Sequence, residues 1–583
     1  MYVHILPTTG AISFQDFLQS GTTLTSELAR TTELRASLRS VLKEQRHEKK
    51  SKVEENDGDE REAKVTDKDW FRIVKAVEEY LPHLFGIFNC IQTDDLLLRH
   101  EPRFSWRTTL SSSSFMRDAP RVTLPGLHYE LCSVLLLSGT ALSNLAASYV
   151  ASLGDYERDR LLTTEQRKAK DERLRLAADL LCKAAGIFEY LGEDLIPQWE
   201  TVAGKIDGRP PDVTREVTLA MSKLAMADAE SLAVRKLLSP FLSTSLDTIT
   251  PGPPLPKTHP SASLLAKLNL NVCQRYEQAR SLAQVVGKKP SMKNVDNLAS
   301  EADGLRRPEL QAGNAAFGSI GIDDDDRLDS AVGGKGAHKI SSKTGGGLLG
   351  KLKPSISSER PSSGSGGGAF SPGADEDLSV GSLLLKYLAT RGLLAKARAH
   401  KWLGIDSGEA GRYGDAIPFL RTAKEILEDE LSTTRRFAHF RDKKGKDARE
   451  ELKKEKEDEF AIINHWLASY IKLNDTVAFQ PLTKSTEIST RIPAGRSALV
   501  IKRFSPPVPA FGPGSPGYIS ENMKRLGVGN ETQESHRPML AIDRSSGSLL
   551  EDNRLDLGET VGVIRPKPKD QERDYAHSMP GYY

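Results

Sequence analysis

The sequence predicts a mainly all-α chain, and three observations carry that prediction. Apolar residues recur at threes and fours along eight long segments. Strand-like character is confined to the first dozen residues and to residues 492–504 (IPAGRSALVIKRF). Two of the helical segments also share the small-and-large spacing of a tetratricopeptide-type hairpin.

The first expected helix covers residues 69–98, where Phe71, Val74, Val77, Tyr80, Leu81, Leu84 and Phe88 form one face. Helices follow over residues 126–153, 163–195, 212–242, 261–286, 378–404 and 412–431 on the same pattern. The last, 442–473, begins as a mixed-charge arm and turns apolar at Phe460, Ile462, Ile463, Trp466 and Tyr470. Between Arg441 and Glu459 that arm has eight basic and eight acidic residues, which reads as a solvated helix face. Tyr413, Ala416, Leu420 and Ala423 supply the tetratricopeptide spacing, and Leu181, Ala184, Phe188 and Leu191 nearly repeat it. Small residues let two antiparallel helices approach while the large one fills the groove beyond. No 34-residue period is sustained, so the expectation is an irregular helical solenoid with a small sheet at one end.

Three blocks read as unable to fold. Residues 45–67 are almost all polar or charged. Residues 288–377 contain 16 Gly, 13 Ser and 5 Pro, too little apolar surface to offset the entropy of ordering them. Residues 505–583 contain 9 prolines and no periodicity. What remains is one large folded domain with a long insertion and a tail.

Composition excludes several functions. Lys and Arg number 81 and Asp and Glu 79, a net charge of +2, so no nucleic-acid partner is expected. The four cysteines, Cys90, Cys132, Cys182 and Cys273, form no CxxC pair, so neither a zinc site nor a disulfide scaffold is expected. With no signal-peptide pattern at the N-terminus, a cytoplasmic setting follows. Residues 131–154 lack charge and are long enough to span a bilayer, yet seven Ser, Thr and Asn side chains among them suit a buried helix better.

The motifs that could carry chemistry are weak. Residues 345–351 satisfy G-x-x-x-x-G-K, but Leu352 stands where magnesium needs a hydroxyl. Asp323–Asp326 lie in a low-complexity segment that would not preorganise them around a cation. Cys132 and Cys182 each fall inside an apolar helical pattern and read as buried, inert thiols. Binding rather than catalysis is expected, with no cofactor and no metal.

The helices carry a more specific likeness. Residues 180–191 (LLCKAAGIFEYL), 224–238 (LAMADAESLAVRKLL), 263–280 (SLLAKLNLNVCQRYEQAR), 396–423 (KARAHKWLGIDSGEAGRYGDAIPFLRTA) and 474–481 (NDTVAFQP) stand in order. Each resembles a successive motif of the BRO1-domain family. The resemblance implies a boomerang-shaped helical solenoid with a tetratricopeptide-like core over residues 1–508. Residues 45–67 and 288–377 would then be disordered inserts and 509–583 a disordered tail.

The opening segment LPTTGAISFQDF (residues 6–17), the insertion and the short tail are similar to the fungal pH-response members of that family. That likeness implies a non-enzymatic adaptor in ambient alkaline pH signalling. Such an adaptor links a plasma-membrane pH-sensing receptor and arrestin-like complex to ESCRT-III. It binds the C-terminal amphipathic helix of the Snf-type ESCRT-III subunit and meets plasma-membrane or endosomal sites peripherally, through partners. The alternative within the family is a scaffold for general endosomal cargo sorting. By motif alignment the groove for the ESCRT-III helix falls on Leu232, Leu264 and Leu268; Leu264 and Leu268 are i and i+4 on one helix face, the spacing a core stripe would also show.

Overall fold

A computed structural model describes residues 1–19, 24–54, 67–111, 120–159, 161–204, 206–245, 253–285, 380–436 and 446–518. The insertion at 288–377, with its glycine-rich and aspartate-rich motifs, lies outside the described residues. Twelve α-helices follow in order among these residues: α1 Phe14–Phe17, α2 Thr25–Glu54, α3 Asp67–Gln92, α4 Leu127–Leu153, α5 Thr164–Tyr190 and α6 Ile196–Ala203. They continue with α7 Arg215–Ser245, α8 Ala262–Val285, α9 Ser382–Glu409, α10 Tyr413–Arg436, α11 Lys446–Leu473 and α12 Ser485–Thr490. All eight predicted helices are present. The segment expected at 163–195 runs on through a π-helical turn, Leu191–Leu195, into α6. Its start is fixed by a capping box, Thr163 Oγ1 accepting from the Gln166 amide while the Gln166 side chain accepts from the Thr163 amide.

The helix α2 was not anticipated, and residues 45–54, read as unfolded, belong to its last turns. Residues 55–66 lie outside the described residues. The buried stripe of α2 is Leu28, Thr31, Leu34, Arg35, Leu38 and Leu42, so a threonine and an arginine interrupt the apolar rhythm. Arg35 is held by Glu130 of α4 at 2.8 Å, by the Thr9 hydroxyl at 2.8 Å and by the Gly10 carbonyl at 2.7 Å. Tyr80 of α3 donates to Glu130 at 3.2 Å and Trp106 Nε1 at 2.7 Å. One buried carboxylate thus ties together α2, α3, α4, the N-terminal segment and the small sheet.

That sheet differs from the expectation in its membership. Strands β1 Leu18–Gln19 and β2 Leu97–Leu98 pair antiparallel, as do β3 Arg103–Arg107 and β4 Arg121–Pro125. The N-terminal segment does contribute, through a bridge from Thr9 to Trp106. Residues 492–504 form no strand. Their amides turn to helix carbonyls instead, Arg496 donating to Lys267 O at 3.0 Å and Lys502 to Cys182 O at 3.2 Å. This stretch is an extended strap laid across α8 and α5. It crosses α5 where only glycine fits: a Cβ on Gly186 would stand 1.8 Å from the Lys502 carbonyl oxygen.

The tail boundary also moves. Residues 509–518, expected to be disordered, pack onto α3: Ala510 donates to Pro82 O at 3.0 Å, Asn89 to Pro513 O at 3.0 Å, and Phe511 is buried. Residues 519–583 lie outside the described residues.

Burial is organised around a large apolar cluster spanning α1 to α8 and the first half of α9, and a second one built from α7, the start of α8, the second half of α9, α10 and α11. Helix α4 supplies the centre of the first. Its apolar stretch is long enough to cross a membrane, yet 94% of the most apolar window is buried inside the protein, which is how a core helix behaves. Ser133, Thr140 and Ser143 satisfy their hydroxyls on carbonyls three or four residues back, so these polar groups cost α4 little when buried.

The N-terminal segment is locked to the same helix. The His4 amide donates to Asn144 Oδ1 at 2.7 Å and Asn144 Nδ2 donates to His4 O at 2.9 Å. Burial pushes the His4 imidazole down from 6.5 to about 3. Below pH 6.5 the unfolded chain therefore takes up a proton that the folded one refuses. The stability this group contributes is complete above 6.5 and is lost as the pH falls towards 3, at up to about 1.4 kcal/mol per pH unit. A His4→Phe chain should show a flatter fall in urea midpoint between pH 6.5 and 4. Retention of the full wild-type slope would show that other groups carry it.

Candidate partner-binding groove

Helices α7 and α8 pack side by side and together touch both cores. On α7, Leu232 belongs to the first core with α4 and α5, whereas Val234 belongs to the second with Leu265 and Leu268. Leu232 is therefore set apart from Leu264 and Leu268, which both pack on the second core. Leu232 and Leu268 are each only 6% exposed. The i, i+4 spacing of Leu264 and Leu268 does put them against one core, but Leu264 lies one turn nearer the helix start and is half-buried at its rim.

The rim has members that the motif alignment missed. Leu237 and Leu238 at the end of α7, and Leu255 on the connection to α8, are half-buried against the same core as Leu264. The doublet Leu237-Leu238, eight residues before the end of α7, is visible in the sequence, but only the fold shows that both side chains stay half-buried. The connection is folded back on α9. His259 packs its ring on Phe241 (5.1 Å) and on Trp402 (5.4 Å), and the Leu255 amide donates to Glu409 Oε1 at 3.3 Å. The proline-rich loop therefore frames the rim.

Further along α8 the outer face is closed by the strap. A Cβ on Gly495 would meet the Asn271 amide nitrogen at 2.8 Å, so the strap lies directly on the helix backbone. Ser497 donates to Glu230 Oε1 at 2.6 Å, and Asn271 and Arg275 converge on the same carboxylate. Burial raises the Glu230 carboxyl while Ser497 and Arg275 pull the other way. From Lys267 onward α8 is thus occupied, and the apolar rim that stays open is the Leu237, Leu238, Leu255 and Leu264 end. The same elements carry Lys236, Lys257 and Lys267. A half-buried leucine rim with lysines suits an amphipathic helix with an acidic polar side.

The chemical candidates do not gain from the fold. Cys132 and Cys182 are buried in helices, and burial pushes the Cys182 thiol up to about 11 and raises that of Cys132 well above the usual thiol range. Each stays protonated near neutrality and is a poor nucleophile. Among the described residues no three His, Cys, Asp or Glu side chains are grouped to hold a metal ion.

Known proteins resemble the chain over this architecture. The model of the BRO1-like domain matches residues 25–306. The pH-response regulator protein palC of Cryptococcus neoformans is 32% identical over 561 residues, 91% of this chain and 96% of the relative. Its namesake in Emericella nidulans is 24% identical over 88% of this chain and 90% of the relative. Among solved structures, an ALIX BRO1–CHMP4C complex aligns over 88% of this chain and 97% of that one, with a TM-score of 0.47 at 12% identity. A Bro1-domain structure described as a basis for endosomal targeting aligns with a TM-score of 0.40. With 32% identity to a relative over nine-tenths of both chains, the chain belongs to the BRO1-domain family of palC pH-response regulators.

Proposed function

We propose that this protein is a non-enzymatic adaptor in ambient alkaline pH signalling. It joins a plasma-membrane pH-sensing receptor and arrestin-like complex to ESCRT-III by binding the C-terminal helix of the Snf-type subunit. The observation that carries the reading is the 32% identity to a pH-response regulator over nine-tenths of both chains. The open leucine rim at the α7–α8 end supports the mode of binding. In this reading Leu264 is the anchor of the original three, helped by Leu237 and Leu238, while Leu232 and Leu268 shape the groove from inside. The protein is recruited from the cytoplasm to plasma-membrane or endosomal sites by its partners.

Calorimetric titration of the full chain with the C-terminal helix peptide of the Snf-type subunit tests this. Wild type should bind, and Leu264→Asp should lose about 2 kcal/mol or more of affinity while keeping its circular dichroism and thermal midpoint. Leu268→Asp and Leu232→Asp should instead lower the midpoint, because each would bury an unpaired charge. Folded Leu264→Asp that binds as wild type removes the rim from the site. Absence of binding by folded wild type removes the ESCRT-III helix as the partner.

A further inference from the structure

The strap ends in Arg503-Phe504-Ser505-Pro506-Pro507-Val508-Pro509. Prolines at 506, 507 and 509 fix φ near −65°, and Ser505, Pro506 and Val508 each precede a proline and are driven to extended backbone. None of these X-Pro bonds is cis. Five consecutive residues are thereby committed to the polyproline II conformation, a helix of three residues per turn without internal hydrogen bonds.

The run is suspended between two backbone anchors, Lys502 N to Cys182 O and Ala510 N to Pro82 O. Among the described residues, no backbone hydrogen bond is made between them. A three-residue period gives the run three edges. Phe504 and Pro507 share one edge, and both are half-buried: Phe504 packs on the first core with its ring 5.2 Å from that of Tyr190. Arg503, Ser505, Pro506 and Val508 are exposed, Val508 at 57%, and Pro509 at the end is half-buried. Arg503 has no ion-pair partner among the described residues.

We propose that residues 503–509 are a docking motif for an SH3 domain. Such domains read a polyproline II ligand on two of its three edges, taking residue-proline pairs into aromatic-lined slots. Here Ser505-Pro506 fills the first slot, Val508 with the open flank of Pro509 fills the second, and Arg503, one turn ahead, meets an acidic pocket as a planar cation. The edge an SH3 domain leaves unread is the edge that is fastened to the protein. The letters of such a motif recur by chance in many chains. The presentation is what distinguishes this one: the ligand is already extended, anchored at both ends and turned the right way out. The ordering entropy that a free peptide loses on binding is thus largely removed beforehand.

The test exposes the full-length chain to an array of isolated SH3 domains of arginine-first and arginine-last specificity, with isolated WW domains alongside. Binding constants are then measured by calorimetry. Arginine-first SH3 domains should bind, with affinity lowered at least tenfold by Arg503→Glu and by Pro506→Ala, and held within about twofold in Pro507→Ala. All three variants should keep the wild-type circular dichroism, since the first two side chains are exposed. The proposal is overturned if no SH3 domain binds, if Arg503→Glu binds as wild type, if arginine-last domains bind equally well, or if only WW domains bind.

Discussion

Replacing Arg35 with Met should destabilise the protein by about 3–5 kcal/mol, because it leaves the Glu130 carboxylate buried without its cation. Arg35 and Glu130 have side chains 2% and 0% exposed, so water cannot take over the lost partner. The Tyr80 and Trp106 donors would remain, and they hold a carboxylate less strongly than a guanidinium does. The Arg35 side chain also closes on Thr9 and Gly10, so the N-terminal segment should loosen together with α2. The expected reading is a lower guanidinium midpoint at unchanged slope, with faster amide exchange at residues 8–10 and 25–42. A second variant separates the charge from the shape. Arg35→Met combined with Glu130→Gln should recover part of the loss, since a neutral amide can stay hydrogen-bonded to Tyr80. A single variant as stable as wild type would show that the carboxylate is satisfied without its cation.

The sequence was legible wherever burial was carried by large apolar side chains alone. Helix α4 has Leu131, Leu135, Leu142 and Leu145 on its buried surface, and its limits were read to within one residue. Helix α2 escaped because the residue at the centre of its buried stripe is Arg35, which counts as polar until its partner, 95 residues away, is known. The strap was misassigned for a related reason. Residues 492–504 have strand-like composition, but composition does not say whether the amides meet another strand or the carbonyls of a helix. At the groove the limit is geometric. Leu264 and Leu268 share the i, i+4 spacing of one helix face, and only the position of the second core separates the half-buried residue from the buried one.

The second large effect is expected where buried and half-buried charges meet between α9, α10 and α11. Glu459 is paired with Lys401 and with Arg398 at 3.2 Å; Glu455 is paired with Arg398 at 2.9 Å and with Arg391 at 2.8 Å. Lys456 is paired with Glu430 at 2.9 Å. Burial alone would raise the Glu455 carboxyl, but Arg391 and Arg398 outweigh it and hold it down at about 2. Glu459→Ala would strand Lys401 and take away one of the two anions that Arg398 meets, at a cost of about 3–5 kcal/mol. Lys401→Met with Glu459→Leu removes both ends of the closest pair and should return most of that stability, because apolar side chains of similar size can replace a buried pair with little loss. The same helices, α9 and α11, build the core on which Leu264 rests. Glu459→Ala should therefore weaken binding of the amphipathic helix without touching it, and the double variant should restore binding in step with stability. If affinity stayed at the wild-type level while the stability fell, the α7–α8 rim would be held by the first core alone.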